Sequence, residues 1–140
     1  MGPTYSCLAE GLKMRICYVG RDGGKDSTVW GFWPIEIKSL FSVALLCFEN
    51  GSREAYHNHA FNSVSWLLKG RLGEHVHKGG LRVYLPSLKP IFTPRDCMHR
   101  VASHGRSWVI TFRGPWKDTW KEWLPAEHRE RTLTHGRVEV

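Results

Sequence analysis

The stretch GSREAYHNHAFNSVSWLLKG, residues 51–70, decides how the rest of the chain is read. His57 and His59 stand one residue apart within it. On an extended strand, residues two apart point to one face, so both imidazoles project the same way. Two neutral imidazoles side by side supply half of a first-row metal site. A third histidine, His99, follows a second β-rich stretch, in TPRDCMHRV (93–101). Strand parity and this spacing predict that the three converge on one metal inside a β-barrel. The alternative for each is a hydrogen-bonded core or surface histidine. The apolar flank of Phe61, Trp66, Leu67 and Leu68 argues against that reading for the pair.

Working outward, MRICYVG (14–20) alternates as a short strand, and the Gly- and Asp-rich GRDGGKDS (20–27) is a turn or loop. WGFWPIEI (30–37) is aromatic, and Pro34 removes a ladder donor, so it is expected at a sheet edge. SLFSVALLCFEN (39–50) reads as a buried strand ending on the turn signal Asn50-Gly51. Strands are expected at 55–68, 71–78, 81–88 and 107–114, with turns at Lys69-Gly70 and Gly79-Gly80. Many short strands with turns between them predict an all-β fold, a small barrel or double-sheet jelly roll. Beyond it, PWKDTWKEWLP (115–125) spaces Trp116, Trp120 and Trp123 by four and three, which predicts a short C-terminal helix laid on the barrel. The tail, with TLT and VEV, is expected to form a last hairpin-like pair. The expected organisation is one domain over 1–140: an N-terminal extension (1–29), a barrel core (39–114), and a C-terminal helix and tail (115–140).

The spacing Gly51, His57, His59, Gly70 resembles the first motif of the cupin superfamily, G-x5-H-x-H-x3,4-E-x6-G. Ser63 and Val64 stand where its Glu is expected. Pro94 and His99 match part of the second motif, with Asp96 and Ser103 replacing its Gly and Asn. The resemblance covers roughly residues 42–112. HNHAFNSVS, GRLGE and HRV also resemble a set of small cupin-like proteins of bacteria and phages. That likeness implies that Glu74 takes the place of the missing carboxylate. A hairpin turning at Lys69-Gly70 would pair Glu74 near Ser65, on the inward face. The resemblance further implies a cupin β-barrel with a divalent transition metal (Fe, Mn, Ni or Zn) on His57, His59, His99 and Glu74. Cupins of this kind include non-haem Fe-type enzymes, oxygenases among them, as well as isomerases and pure binding modules.

The chain has 140 residues, a formal charge of +7 and 41% hydrophobic residues. That is a globular composition with a basic surface, which suits a small or nucleotide-derived anionic ligand. Nucleic acid is not favoured, because the cations are scattered and the aromatics sit at core-facing positions. Arg82, Arg100 and Arg113 are candidate anion contacts near strand ends. A homodimer stays open. Cys7, Cys17, Cys47 and Cys97 form no C-x-x-C, and are expected as reduced thiols in a cytoplasmic protein. No apolar run approaches the ~20 residues of a membrane-spanning helix. His75 and His77 form a second H-x-H that parity places opposite Glu74, on the outer face.

Overall fold

Regions that alternate or run apolar over five to ten residues become strands here. The computed structural model describes residues 5–9, 12–51 and 55–140, with side chains from residue 14 onward. The start of the N-terminal extension and the Cys7 thiol therefore lie outside the described residues. Among the described residues thirteen strands follow in order: β1 (Tyr5–Ala9), β2 (Leu12–Arg21), β3 (Val29–Ile37), β4 (Phe41–Phe48), β5 (Ser63–Lys69), β6 (Leu72–Val76), β7 (Leu81–Tyr84), β8 (Ile91–Thr93), β9 (His99–Ser103), β10 (Ser107–Arg113), β11 (Thr119–Leu124), β12 (Arg129–Thr134) and β13 (Val138–Glu139).

The largest sheet runs β1-β2-β3-β4-β10-β5-β8, and two three-stranded sheets run β7-β6-β9 and β11-β12-β13. Trp33, Ala44, Leu46, Leu67, Leu72 and Val109 form the buried core. Tyr84 of β7 and Val101 of β9 pack against it, so the core lies between the large sheet and the β7-β6-β9 sheet. No helix occurs among the described residues, and so none long and apolar enough to cross a membrane.

Three expectations are corrected. The C-terminal helix is instead the strand β11, paired residue for residue with β12 from Thr119↔Thr134 to Leu124↔Arg129. Trp116 falls in the loop before it, after Gly114-Pro115. An isolated helix this short is marginal in water, whereas a ladder satisfies every second backbone group and suits Trp and Thr. The expected hairpin at TLT and VEV is present, as Leu133↔Glu139 and Thr134↔Val138. Second, β3 is not an edge strand but lies between β2 and β4. Pro34 falls where the β3–β4 register shifts between Phe32 and Ile35, and a bulge needs no ladder donor from it.

Third, β5 and β6 do not form a hairpin. β5 pairs with β10 and β8, while β6 pairs with β7 and β9. Gly70, at φ 102°, turns the chain from one sheet into the other. A Cβ there would lie 2.7 Å from the Ser107 Cα, so only glycine lets the corner pass this close to β10. Glu74 is consequently opposite Val101 and Arg82 rather than near Ser65.

Candidate metal centre

The His57–His59 segment is extended without belonging to a regular ladder, since β5 starts only at Ser63. Its position is set by neighbours on both sides. The His57 N–H donates to the His99 carbonyl and the His99 N–H to the His57 carbonyl, each at 2.9 Å. From the other side, the Asn58 N–H donates to the Lys121 carbonyl at 3.0 Å and the Trp123 N–H to the Tyr56 carbonyl at 2.7 Å. Asn58 Oδ1 also accepts the Lys121 N–H at 2.6 Å. The segment is thus threaded between the start of β9 and the C-terminal hairpin.

This threading brings together the three histidines picked out from the sequence. Each pair among the His57, His59 and His99 rings has a centroid separation of 5.0 Å. One nitrogen from each lies within 4.8 Å of the others. The rings cross at 87°, 66° and 84° rather than stacking.

Two of the rings are fixed from behind. His57 Nδ1 lies 3.2 Å from the Ala55 carbonyl, and His99 Nδ1 lies 2.6 Å from Glu74 Oε2. The hydrogen bond from His99 holds the Glu74 carboxyl below the usual carboxylate range, against the opposing effect of burial. An ionised carboxylate only accepts, so Nδ1 carries a proton, and in the neutral imidazole this leaves the lone pair on Nε2. That Nε2 atom is buried and has no hydrogen-bond partner. A buried acceptor left empty costs free energy, and a metal ion at the point the three rings share would satisfy it.

Glu74 thus contacts a ring nitrogen of His99, on the side away from Nε2. Its other oxygen, Oε1, accepts the Tyr84 hydroxyl at 3.0 Å. Burial, then the Glu74 charge, pushes the Tyr84 pKa up, so Tyr84 remains a donor. Cys97 shares a second donor group with Glu74 and His99. It does not border the cavity described next, and burial, then Glu74, pushes its thiol up. His75 and His77 are outside both donor groups; His77 packs edge-on against Tyr56. Cys17, Cys47 and Cys97 are free thiols.

The three histidines open onto a cavity of about 500 Å³. Trp33, Phe61, Trp116 and Trp120 form apolar parts of its wall, and Arg15, Arg21, Lys38, Arg113 and Arg137 stand against Asp22, Glu36 and Glu74. Five cations against three acids leave an excess of two. Arg15 pairs with buried Glu36 at 2.6 Å. Arg113 donates to both oxygens of Asp22, at 3.2 and 2.6 Å. Arg137 shares Glu122 with Arg131, and Arg21 donates to the Ser27 carbonyl. Of the arginines named from sequence, Arg113 lines the cavity; Arg82 and Arg100 do not. Sequence reasoning passed over Tyr84, Arg15, Glu36 and Asp22. The one available signal was Glu36, a carboxylate inside the apolar run WGFWPIEI.

A jelly-roll barrel with a histidine cluster facing its interior is a recognisable class of structure. The chain has the cupin fold, as its likeness to solved structures shows. An RmlC-like cupin from Shewanella frigidimarina superposes with a TM-score of 0.55 at 16% identity, covering 84% of this chain and 97% of that one. A sugar phosphate isomerase of the cupin superfamily from Silicibacter pomeroyi gives 0.56 at 13% identity, covering 93% and 88%. The Fe(II) form of HppE gives 0.55 at 12% identity, covering 68% and 54%. No family model matches the sequence, and no curated protein matches it.

Proposed function

We propose that this chain is a metal-binding cupin with one mononuclear centre on His57, His59 and His99, and that the centre serves an enzyme acting on a small anionic substrate. The observation that carries this reading is the three-imidazole cluster with the buried, unsatisfied Nε2 of His99. Glu74 is assigned here as the carboxylate that orients His99 and raises its basicity rather than as a fourth ligand, because its oxygen is spent on Nδ1. A divalent metal of the Fe, Mn, Ni or Zn group would supply Lewis acidity and open coordination positions towards the cavity, and iron would add redox chemistry.

The chain's own residues would select and hold the ligand. The cation excess around the cavity favours an anion, with Arg137 among its contacts. Arg113, neutralised by Asp22, would act as a wall residue. The three lining carboxylates already accept from Arg15, Arg113 and His99, which leaves none of them poised for proton transfer. That arrangement supports chemistry carried by the metal over isomerisation driven by a protein base, and the Fe(II) form of HppE has a similar fold. The same observation favours the second reading, a non-catalytic module that captures a small anion.

Elemental analysis of untagged protein should show about one equivalent of Fe, Mn, Ni or Zn, absent after His57→Ala with His59→Ala. Metal content equal in wild type and double variant would overturn the proposal. Oxygen uptake by Fe(II)-loaded protein with panels of small carboxylates, phosphates and nucleotides separates the two readings. Uptake supports the enzyme, and tight binding without turnover supports the module.

A further inference from the structure

Two turns that border the cavity meet at Arg137. One is the β2–β3 loop, where Gly23 and Gly24 both have positive φ, and the other is the β12–β13 turn, THGR at 134–137. Arg137 has φ 60°. A left-handed backbone suits Gly or Asn and is uncommon for a long side chain. Among the described residues, the non-glycine positions that adopt it are Cys17, Lys78, His128 and Arg137, and of these only Arg137 borders the cavity. Such a conformation persists where the surroundings fix it, and ligand clamps are one place where it concentrates.

Two contacts fix Arg137. Its Nη2 donates to Glu122 Oε2 at 2.7 Å, and Glu122 is buried. On the other side, a Cβ on Gly24 would lie 2.9 Å from Arg137 Nε and 3.1 Å from its Cδ, so the bare glycine leaves room for the arginine stem. The bond to Glu122 occupies one of the five N–H donors of a guanidinium. Glu122 Oε1 is taken by Arg131 Nη2 at 2.8 Å. Two guanidinium groups thus share one buried carboxylate, and one positive charge is left over. A cation held in place, with donors to spare and surplus charge behind it, is a preformed oxyanion site. Glu122 also stands opposite His57 across a single bridge, and directly opposed residues put their side chains on one face. The strand β11 that seats the histidine pair therefore seats the arginine as well, and both open into one cavity.

We propose that Arg137 anchors the ligand, and that the group it takes is a dianionic oxyanion, the terminal phosphate of a small phosphate monoester. This rests on the cavity being the site of a small anion, as proposed above. Charge decides between a singly and a doubly negative group. The five cations and three carboxylates that line the cavity leave an excess of two. Adding Arg131 and Glu122 makes six against four, still two. A carboxylate would balance half of that excess, whereas a phosphate monoester near its dianionic form balances nearly all of it.

Calorimetric titration of the full chain with inorganic phosphate, at mildly alkaline pH and fixed ionic strength, tests this, with acetate as the singly charged comparison. Phosphate should bind at one site and more tightly than acetate. Arg137→Ala should weaken phosphate by about ten-fold or more, the loss of a charge-assisted hydrogen bond. Arg137→Lys keeps the charge but loses the fork, and should fall in between. Gly24→Ala changes no charge but pushes the arginine stem aside, so it should weaken phosphate several-fold. His57→Ala with His59→Ala should leave phosphate affinity unchanged, since the anchor requires no metal. Equal phosphate affinity in wild type and Arg137→Ala would overturn the anchor and leave the anion cavity standing. Phosphate binding lost with the two histidines would move the group to the metal and overturn it too. Acetate bound as tightly as phosphate would overturn the dianionic class. A wild type that binds neither would overturn the anchor together with the anionic substrate. Should Arg137→Ala fail to fold by circular dichroism, Arg137→Lys and Gly24→Ala decide: wild-type phosphate affinity in both overturns the proposal.

Discussion

Replacing Glu74 by Gln alters the proposed centre without touching a metal ligand. Glu74 is buried, accepts a hydrogen bond from His99 Nδ1 at 2.6 Å, and accepts one from the Tyr84 hydroxyl at 3.0 Å. Gln fills the same volume. It removes the charge, however, and offers one acceptor oxygen where the site uses two, so an NH₂ group must face either a donor N–H or a donor O–H. The loss of a charge-assisted hydrogen bond amounts to about 1.5–3 kcal/mol. For metal affinity, removing a carboxylate behind a ligating histidine costs roughly 10–100-fold, or about 1.4–2.7 kcal/mol. The assay is a competition titration of apo-protein against a chelator of known affinity, with Zn(II) and Co(II), beside a circular dichroism control for the fold. The expected result is that weakening, with the stoichiometry kept at one and the Co(II) spectrum showing an unchanged coordination number. Undiminished affinity in Glu74→Gln would refute the orienting role. A drop in coordination number would instead make Glu74 a ligand. Adding Ser63→Glu to the Glu74→Gln variant provides a cross-check. Ser63 is on β5 in the large sheet and Glu74 on β6 in another, so the new carboxylate should not restore the His99 contact or the affinity.

Acidification should release the metal, because ligating imidazoles must be neutral; a chelator-free desalting series between pH 8 and 5 followed by elemental analysis checks this. Asp22→Asn should destabilise by about 3 kcal/mol, since it strands the buried Arg113 guanidinium; thermal unfolding of the apo-protein measures it. Leu133→Ala, at a position with no exposure, should cost about 2–5 kcal/mol by cavity formation. Because the C-terminal hairpin holds the His57–His59 segment, the same variant should also lower metal retention. Gly70→Ala should cost more than 1 kcal/mol in the same assay, from its positive φ and its collision with Ser107.

Local signals carried much of this protein. H-x-H needs only an extended backbone to aim two rings together, and that parity survives although no regular ladder runs through His57 and His59. Pro94 and His99 placed the third ring by motif spacing, and the Asn-Gly, Gly-Gly and Lys-Gly turns marked strand ends because backbone conformation there is set by one or two residues. What a strand pairs with is a different kind of fact. A ladder is closed by residues far away in the chain, so nothing in residues 63–76 reveals that β5 and β6 part into two sheets at Gly70. For that reason Glu74 sits at His99 rather than beside Ser65. The tryptophans after residue 115 show the same limit: spacing of four and three fits a helix, but six cross-strand partners in β12 decide for a strand. Pro34 could lie inside the sheet only because a bulge accommodated it, and that depends on β4. Which face of β4, β5 and β10 encloses the cavity is likewise decided only when the sheet curves around it.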